Sequence, residues 1–256
     1  MLCGIHGDEL TSLRIAAQLK KVEIEKGSLH IFFGINELGN QFGKRFADAD
    51  LNRVFPGKLN GNFEERLAAH LLNELQEMDL VVDLHCFEME SPVTALQFTK
   101  EDEFINAFNP EEVWLIDTAQ VETKYLTALG PLLARQGKKN FAVELDMLEH
   151  FTSENRVMEG FRNLFRKLGM LSGKVSEHHP TRFKRKETTS DVAGIFIPEK
   201  KPLVQVKRGE QLGKIISLKD LSENPILCNQ EGVLMQIRRT SQVRTGTLLF
   251  AIGEVQ

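Results

Sequence analysis

The sequence predicts a mixed α/β domain, with a central sheet flanked by helices, followed by a small all-β domain. Three observations carry this. Apolar runs of strand length (Ser28–Ile35, Asp79–Cys86, Asn140–Asp146) alternate with stretches of helical period such as Glu64–Met78 and Ser153–Leu171. From Asp191 onward the helical period disappears and short strands and turns take over. The chain has 256 residues, 41% hydrophobic and 27% charged, enough for one large domain plus a small one. The expected boundaries are 1–173 for the α/β domain, 174–190 for a linker and 191–256 for the β-rich domain.

Composition also excludes. The net charge is -4 with both signs mixed throughout, which does not suit a nucleic-acid binder. No apolar run is long enough to span a membrane, and no signal peptide is recognisable at the start. Cys3, Cys86 and Cys228 are an odd, scattered set, expected as free thiols in a reducing cytoplasm. Neither nucleic acid nor a membrane is expected as a partner; homo-oligomerisation is left open.

Taken in order, Met1–Cys3 read as the last residues of a strand that runs into Gly4-Ile5-His6-Gly7-Asp8-Glu9. His6 and Glu9, three apart, are expected on one face of a nascent helix. Imidazole and carboxylate both ligate zinc, and a catalytic zinc needs a third protein ligand and an open position. The bland alternative is a helix whose first turn is acidic because its N-terminus is partially positive. Glu9–Lys21 reads as that helix and Ser28–Ile35 as a strand with a structural His30.

The stretch 36–62 reads as a long polar loop with few helix or strand signals, a length that usually marks function. Its Arg45, Asn52 and Arg53 could clamp a carboxylate, since a guanidinium offers a matching fork of donors; solvated surface charge is the bland reading. Glu64–Met78 is a helix that buries Leu67, Leu71, Leu72 and Leu75. Asp79–Cys86 is a strand with Asp83 and His85 on one side, and it sets His85 where a third metal ligand is needed. Val93–Thr99 and Val113–Asp117 are further strands. Lys124–Gln136 is a helix interrupted by Gly130-Pro131. Asn140–Asp146 carries Glu144, a carboxylate that is costly in an apolar strand without a partner and that beside zinc would serve as general base. Ser153–Leu171 is an amphipathic helix ended by Gly173.

Two stretches of the β-rich region, Val206–Leu212 and Val243–Leu249, share the pattern Val, basic, x, Gly, x, x, Leu. The echo resembles the halves of a lipoyl-like barrel-sandwich module. Lys219 lacks a carrier-lysine context, so the domain reads as structural or as a lid.

The ordered set GIHGDE, GKRFADADLNRVFPG, VVDLH and AVELD resembles the succinylglutamate desuccinylase and aspartoacylase family, related to the zinc carboxypeptidases. The resemblance covers essentially the whole chain and implies a zinc carboxypeptidase-like fold. It implies one zinc per chain on His6, Glu9 and His85, with Glu144 as proton carrier and Arg45 beside the oxyanion. It further implies Asn52 and Arg53 on the substrate carboxylate, Asp50 behind a zinc histidine, and Arg135 for a second carboxylate. The activity it implies is hydrolysis of a small N-acyl amino acid. A metallocarboxypeptidase and a zinc-binding sensor without turnover are the alternatives. After His85 the chain continues Cys86-Phe87-Glu88-Met89, and its one tyrosine is Tyr125, so the chemistry carries over while the acyl group and amino acid do not.

Overall fold

Apolar strand segments buried on both faces build the computed structural model, which describes residues 1–100, 102–120, 122–147 and 151–256. In chain order the elements begin with β1 (Leu2–Cys3), α1 (Leu10–Leu19), β2 (Phe32–Phe33), α2 (Glu37–Phe42) and α3 (Phe63–Glu74). They continue with β3 (Val81–Phe87), β4 (Met89–Glu90), β5 (Thr94–Gln97), α4 (Asp102–Phe108) and β6 (Glu112–Leu115). α5 (Leu129–Arg135), β7 (Asn140–Asp146) and α6 (Phe151–Lys167) follow. The β-rich part holds β8 (Arg182–Thr189), β9 (Gly194–Pro198), β10 (Val204–Val206) and β11 (Gln211–Ile216), then β12 (Glu223–Leu227), β13 (Gly232–Arg238), β14 (Ser241–Val243) and β15 (Leu248–Val255). Contacts divide the chain into two units, Met1–Cys86 with Val93–Pro180, and Phe87–Pro92 with Thr181–Gln256.

In the first unit the strands lie in the order β6-β5-β7-β3-β1-β2. β1 runs parallel to β2 and β3, β5 parallel to β6, and β5 antiparallel to β7, so the sheet is mixed as expected. Val82, Leu84 and Cys86 of β3 and Phe141, Val143 and Leu145 of β7 enter one core with α1, α4 and α6. The alternate residues, Asp83 and His85 on β3 and Glu144 on β7, therefore share the opposite face. On that face α3 packs Ala68, Leu71, Leu72 and the following Leu75 with Val81 and Leu129.

Several elements differ locally from the expectation. α1 buries Thr11, Ser12, Ile15, Ala16 and Leu19, while Leu10 is exposed. The expected strand over Ser28–Ile35 pairs only at Phe32–Phe33, opposite the two residues of β1. The loop 36–62 contains α2: Asn36 caps it by accepting from Gly39 N at 2.9 Å, and Gly43 ends it at φ +60. Gly130 and Pro131 lie in the first turn of α5 and start the helix, because a first-turn proline forfeits only a hydrogen bond that is already missing. α6 stops at Lys167, before a left-handed Gly169, not at Gly173. No helix among the described residues is long and apolar enough to cross a membrane.

In the second unit, β10-β13-β15-β8 form one antiparallel sheet, with β4 on β13, and β12-β11-β9-β14 form another. Their shared core includes Phe196, Leu212, Leu234, Val243, Leu249 and Phe250. β8 occupies residues 182–189, in the stretch that the run of basic residues marks as a linker; Phe183 is buried while Lys184 and Lys186 are exposed. The sequence echo is a structural one. Gly209 and Gly246 turn with φ of +83 and +84. Glu210 accepts from Lys207 N and Thr247 from Arg244 N, both at 2.9 Å and at matching positions. Gly209 N donates to Cys228 O and Gly246 N to Ser190 O, both at 2.7 Å.

Candidate functional site

The chain leaves β1 through Gly4, at φ +82, and makes a turn that carries His6 and Glu9. The two side chains meet on this turn and not on a helix face. Glu9 sits at the N-cap of α1 with φ -88 and ψ 65 and makes no capping bond with its side chain. Its carboxylate turns inward instead, with Oε1 2.6 Å from His6 Nδ1 and Oε2 3.1 Å from His85 Nδ1. The Nδ1 atoms of the two histidines are 3.3 Å apart. Ligand atoms of His6, Glu9 and His85 all lie within 4.8 Å of one another, and all three residues are buried.

The outer ring nitrogens are also fastened. His6 Nε2 lies 3.1 Å from Asp50 Oδ1, and His85 Nε2 lies 2.8 Å from Asp83 Oδ2. With the ring protons on Nε2, both imidazoles aim lone pairs at the same small space as the Glu9 carboxylate. Three acceptors converging in a buried site repel one another unless protons or a cation lie between them. This donor set therefore fits a metal ion.

In the absence of a metal, protons take that role. Burial alone would lower the His85 pKa, but Asp83 and Glu9 carry it well above its ordinary value. His6 is raised in the same way, with Glu9 and Asp50 outweighing burial. Burial would raise Glu9, yet the two histidines bring it down to about 2. Asp50 is held below the usual carboxylate range against its own burial, first by His6 and then by Arg45.

Loop 36–53 delivers the cationic residues. Gly7 N donates to Arg45 O at 3.0 Å, and a Cβ on Gly7 would overlap Gly39 C, Asn40 N and Lys44 O. Only glycine allows this contact. Glu64, fully buried in the first turn of α3, accepts from the backbone N–H groups of Ala47, Asp48 and Ala49 at 2.7, 3.1 and 3.1 Å. The loop thus folds around a carboxylate. Arg45 donates through Nε to Asp50 Oδ2 and through a terminal nitrogen to Glu9 Oε1, both at 3.2 Å.

Asn52 is tied at both ends: its Oδ1 accepts from Leu129 N at 2.8 Å, and its Nδ2 lies 3.4 Å from His85 Nε2. The Arg53 guanidinium stacks 4.7 Å from the centroid of the Tyr125 ring. Thr127 bonds back to Arg53 O at 2.7 Å. Arg135 donates to Leu126 O in this same segment. Glu144 is buried on the sheet face shared with His85, opposite Thr94 of β5. Thr11, two residues after Glu9, donates to Asp146 O at 3.3 Å and so ties the start of α1 to β7.

His6, Glu9, His85, Asp50, Arg45 and Asn52 are thus joined in one hydrogen-bonded group; the Arg53 guanidinium donates to Asn52 O at 2.6 Å and stacks on Tyr125, and Arg135 donates into the same 125–127 segment. Sequence reasoning missed Asp83, Glu64 and Tyr125 as members of this network. The spacing of Asp83 and His85 on one strand face held a signal for the first. Glu64 reads only as an acid in a helix's first turn, and nothing local announces the Arg53–Tyr125 pair.

No curated protein sequence matches the chain. Solved structures share its fold. The ectoine utilization protein EutE (DoeB) from Ruegeria pomeroyi, in its product-bound form, superposes with a TM-score of 0.83 at 18% identity, covering 99% of this chain and 84% of that one. A succinylglutamate desuccinylase/aspartoacylase from Rhodobacter sphaeroides gives 0.83 at 18% identity, covering 100% and 84%. An aspartoacylase family protein from Mesorhizobium loti gives 0.81 at 23% identity, covering 100% and 85%. The sequence itself matches the succinylglutamate desuccinylase/aspartoacylase catalytic domain over residues 1–158, a span that contains every residue of the group described above. By that match, over more than half its length, the chain belongs to the succinylglutamate desuccinylase/aspartoacylase family of deacylases.

Proposed function

We propose that the protein is a zinc-dependent hydrolase that cleaves the amide of a small N-acyl amino acid, with one zinc per chain on His6, Glu9 and His85. The observation that carries this is the convergence of three buried ligand atoms within 4.8 Å while the outer nitrogen of each histidine is engaged by a carboxylate. Two nitrogens and one oxygen are a donor set typical of catalytic zinc, which leaves a coordination position for the reaction. When bound, zinc supplies Lewis-acid polarisation of the scissile carbonyl and of water.

The chain's own residues do the rest. Glu144 takes a proton from the attacking water and returns it to the leaving nitrogen. Arg45, held by Glu9 and Asp50, places a fixed cation where negative charge develops on the carbonyl oxygen. Arg53 receives the α-carboxylate, with Tyr125 behind its guanidinium, and Asn52 fixes the loop against α5. Arg135 takes a second carboxylate where the substrate has one. The three cysteines are free and buried, in keeping with assignment to the cytoplasm.

The test is metal analysis of the purified protein beside hydrolysis of N-acetyl and N-succinyl amino acids, wild type against Glu144→Gln. One zinc per chain, with turnover lost by roughly 10²–10⁴-fold in the variant and zinc retained, is the expected result. Release of C-terminal residues from peptides would move the assignment to a carboxypeptidase. Zinc without turnover on any substrate would leave a binding protein, and absence of zinc would end the proposal.

A further inference from the structure

We propose that Asp83 is a positioning residue of the metal centre, which fixes the His85 ring so that Nδ1 and not Nε2 faces the ion; this rests on the zinc reading above. His85 Nε2 has two polar neighbours, Asp83 Oδ2 at 2.8 Å and Asn52 Nδ2 at 3.4 Å. They make opposite demands. The carboxylate accepts, so it wants a proton on Nε2 and leaves a lone pair on Nδ1. The amide nitrogen donates, so it wants the lone pair on Nε2 and drives the proton to Nδ1. The orientation of the amide is not free, because Asn52 Oδ1 is committed to Leu129 N at 2.8 Å. At the observed distances the carboxylate prevails. The His85 lone pair then points to Glu9 Oε2 and His6 Nδ1, at 3.1 and 3.3 Å, where the ion is needed.

Asp83 is only half satisfied by the hydrogen bond to His85. It is 5% exposed, and its Oδ1 has no hydrogen-bond partner among the described residues. A divalent cation on the far side of the imidazole gives the carboxylate its counter-charge, as carboxylate–histidine–metal chains do. His6 has the same arrangement with Asp50, so both metal histidines present Nδ1 inward and a carboxylate on Nε2.

The experiment compares wild type with Asp83→Asn and Asp83→Ser, each as the full chain. Zinc dissociation constants are read by competition with a chromophoric chelator, and melting temperatures are read with and without zinc. In Asp83→Asn a neutral amide that can donate as well as accept no longer compels the proton onto Nε2, and the charge behind the imidazole is lost. Zinc affinity is then expected to fall about 10–100-fold, and the melting temperature to fall further with zinc than without it. Asp83→Ser carries the same comparison should the asparagine variant not fold. Zinc binding as tight as in wild type overturns the inference, as does an equal fall in melting temperature with and without metal, which would mark a plain structural role. If the wild type itself takes up no zinc, the inference falls together with the zinc reading.

Discussion

Arg45 reaches across to Glu9 and donates to Oε1 at 3.2 Å, the same oxygen that lies 2.6 Å from His6 Nδ1. A cation thus touches a metal-ligand candidate directly while its other edge is held by Asp50. The guanidinium adds a fixed positive charge beside the ligands without occupying the position between them. Arg45→Ala is predicted to lower kcat/KM for N-acyl amino acids roughly 10²–10³-fold, the size of losing one oxyanion donor. Zinc content should be retained. Steady-state kinetics with metal analysis check this, and unchanged kcat/KM would remove Arg45 from the chemistry.

The pKa shifts set a pH signature for the metal-free protein. His6 and His85 are raised above 6.5, so their contribution to stability is complete below 6.5 and is lost as pH rises through the raised values. Glu9 is lowered from 4.5 to about 2, so its contribution is complete above 4.5 and is lost as pH falls toward 2. Metal-free protein should therefore melt highest between 4.5 and 6.5 and progressively lower as the pH becomes alkaline. Zinc should reverse the alkaline trend, because it replaces the protons that leave. Melting temperatures with chelator and with zinc, from about pH 3 to pH 9, test the acid limb, the alkaline limb and its reversal by zinc.

Glu64 is predicted to hold the substrate loop. In Glu64→Gln one backbone-accepting oxygen becomes a donor and faces N–H groups of residues 47–49. The expected cost is about 2–3 kcal/mol, that of leaving buried donors unsatisfied. Urea unfolding measures it. KM should rise, since Arg45, Asn52 and Arg53 hang on this loop. A KM identical to wild type would refute this role.

The paired turns of the β-rich unit make a quantitative control. Gly209 and Gly246 both have positive φ and open space where a Cβ would stand. Alanine at either site meets backbone strain and no clash, so each substitution should cost about 1 kcal/mol, and the same at both sites. Clearly unequal costs in thermal unfolding would show that the two turns are not energetically equivalent.

What the sequence made legible was whatever depends on near neighbours. β7 coincides with Asn140–Asp146 because an apolar run bounded by polar residues has few other ways to be buried. The His6–Glu9 spacing was readable, but its backbone was not: a helix and a tight turn both bring residues three apart together, and Gly4 and Gly7 select the turn. α2 went unread because its ELGNQF core lacks the apolar stripe on which helix reading depends, although Asn36 caps it and Gly43 ends it. β8 was hidden by its charges, since Arg182–Thr189 places basic side chains on the exposed positions of a strand. Asp83, Glu64 and Tyr125 act through partners that are 2, 15–28 and 72 residues away, and only the first of these separations falls within a pattern that a sequence displays.

The contact at Gly7 has a thermodynamic corollary. With no room between the His6–Glu9 turn and residues 39–45, the loop cannot shift without dragging the imidazole and carboxylate along with it. Ion and ligand then draw on a single rigid body, and reciprocity requires that each change the other's affinity by the same factor. A carboxylate-bearing product that pulls on Arg53 should slow release of the ion, and a chelated protein should hold that product correspondingly more weakly. With zinc bound as proposed, retention of the ion would become a property of what the site has just bound.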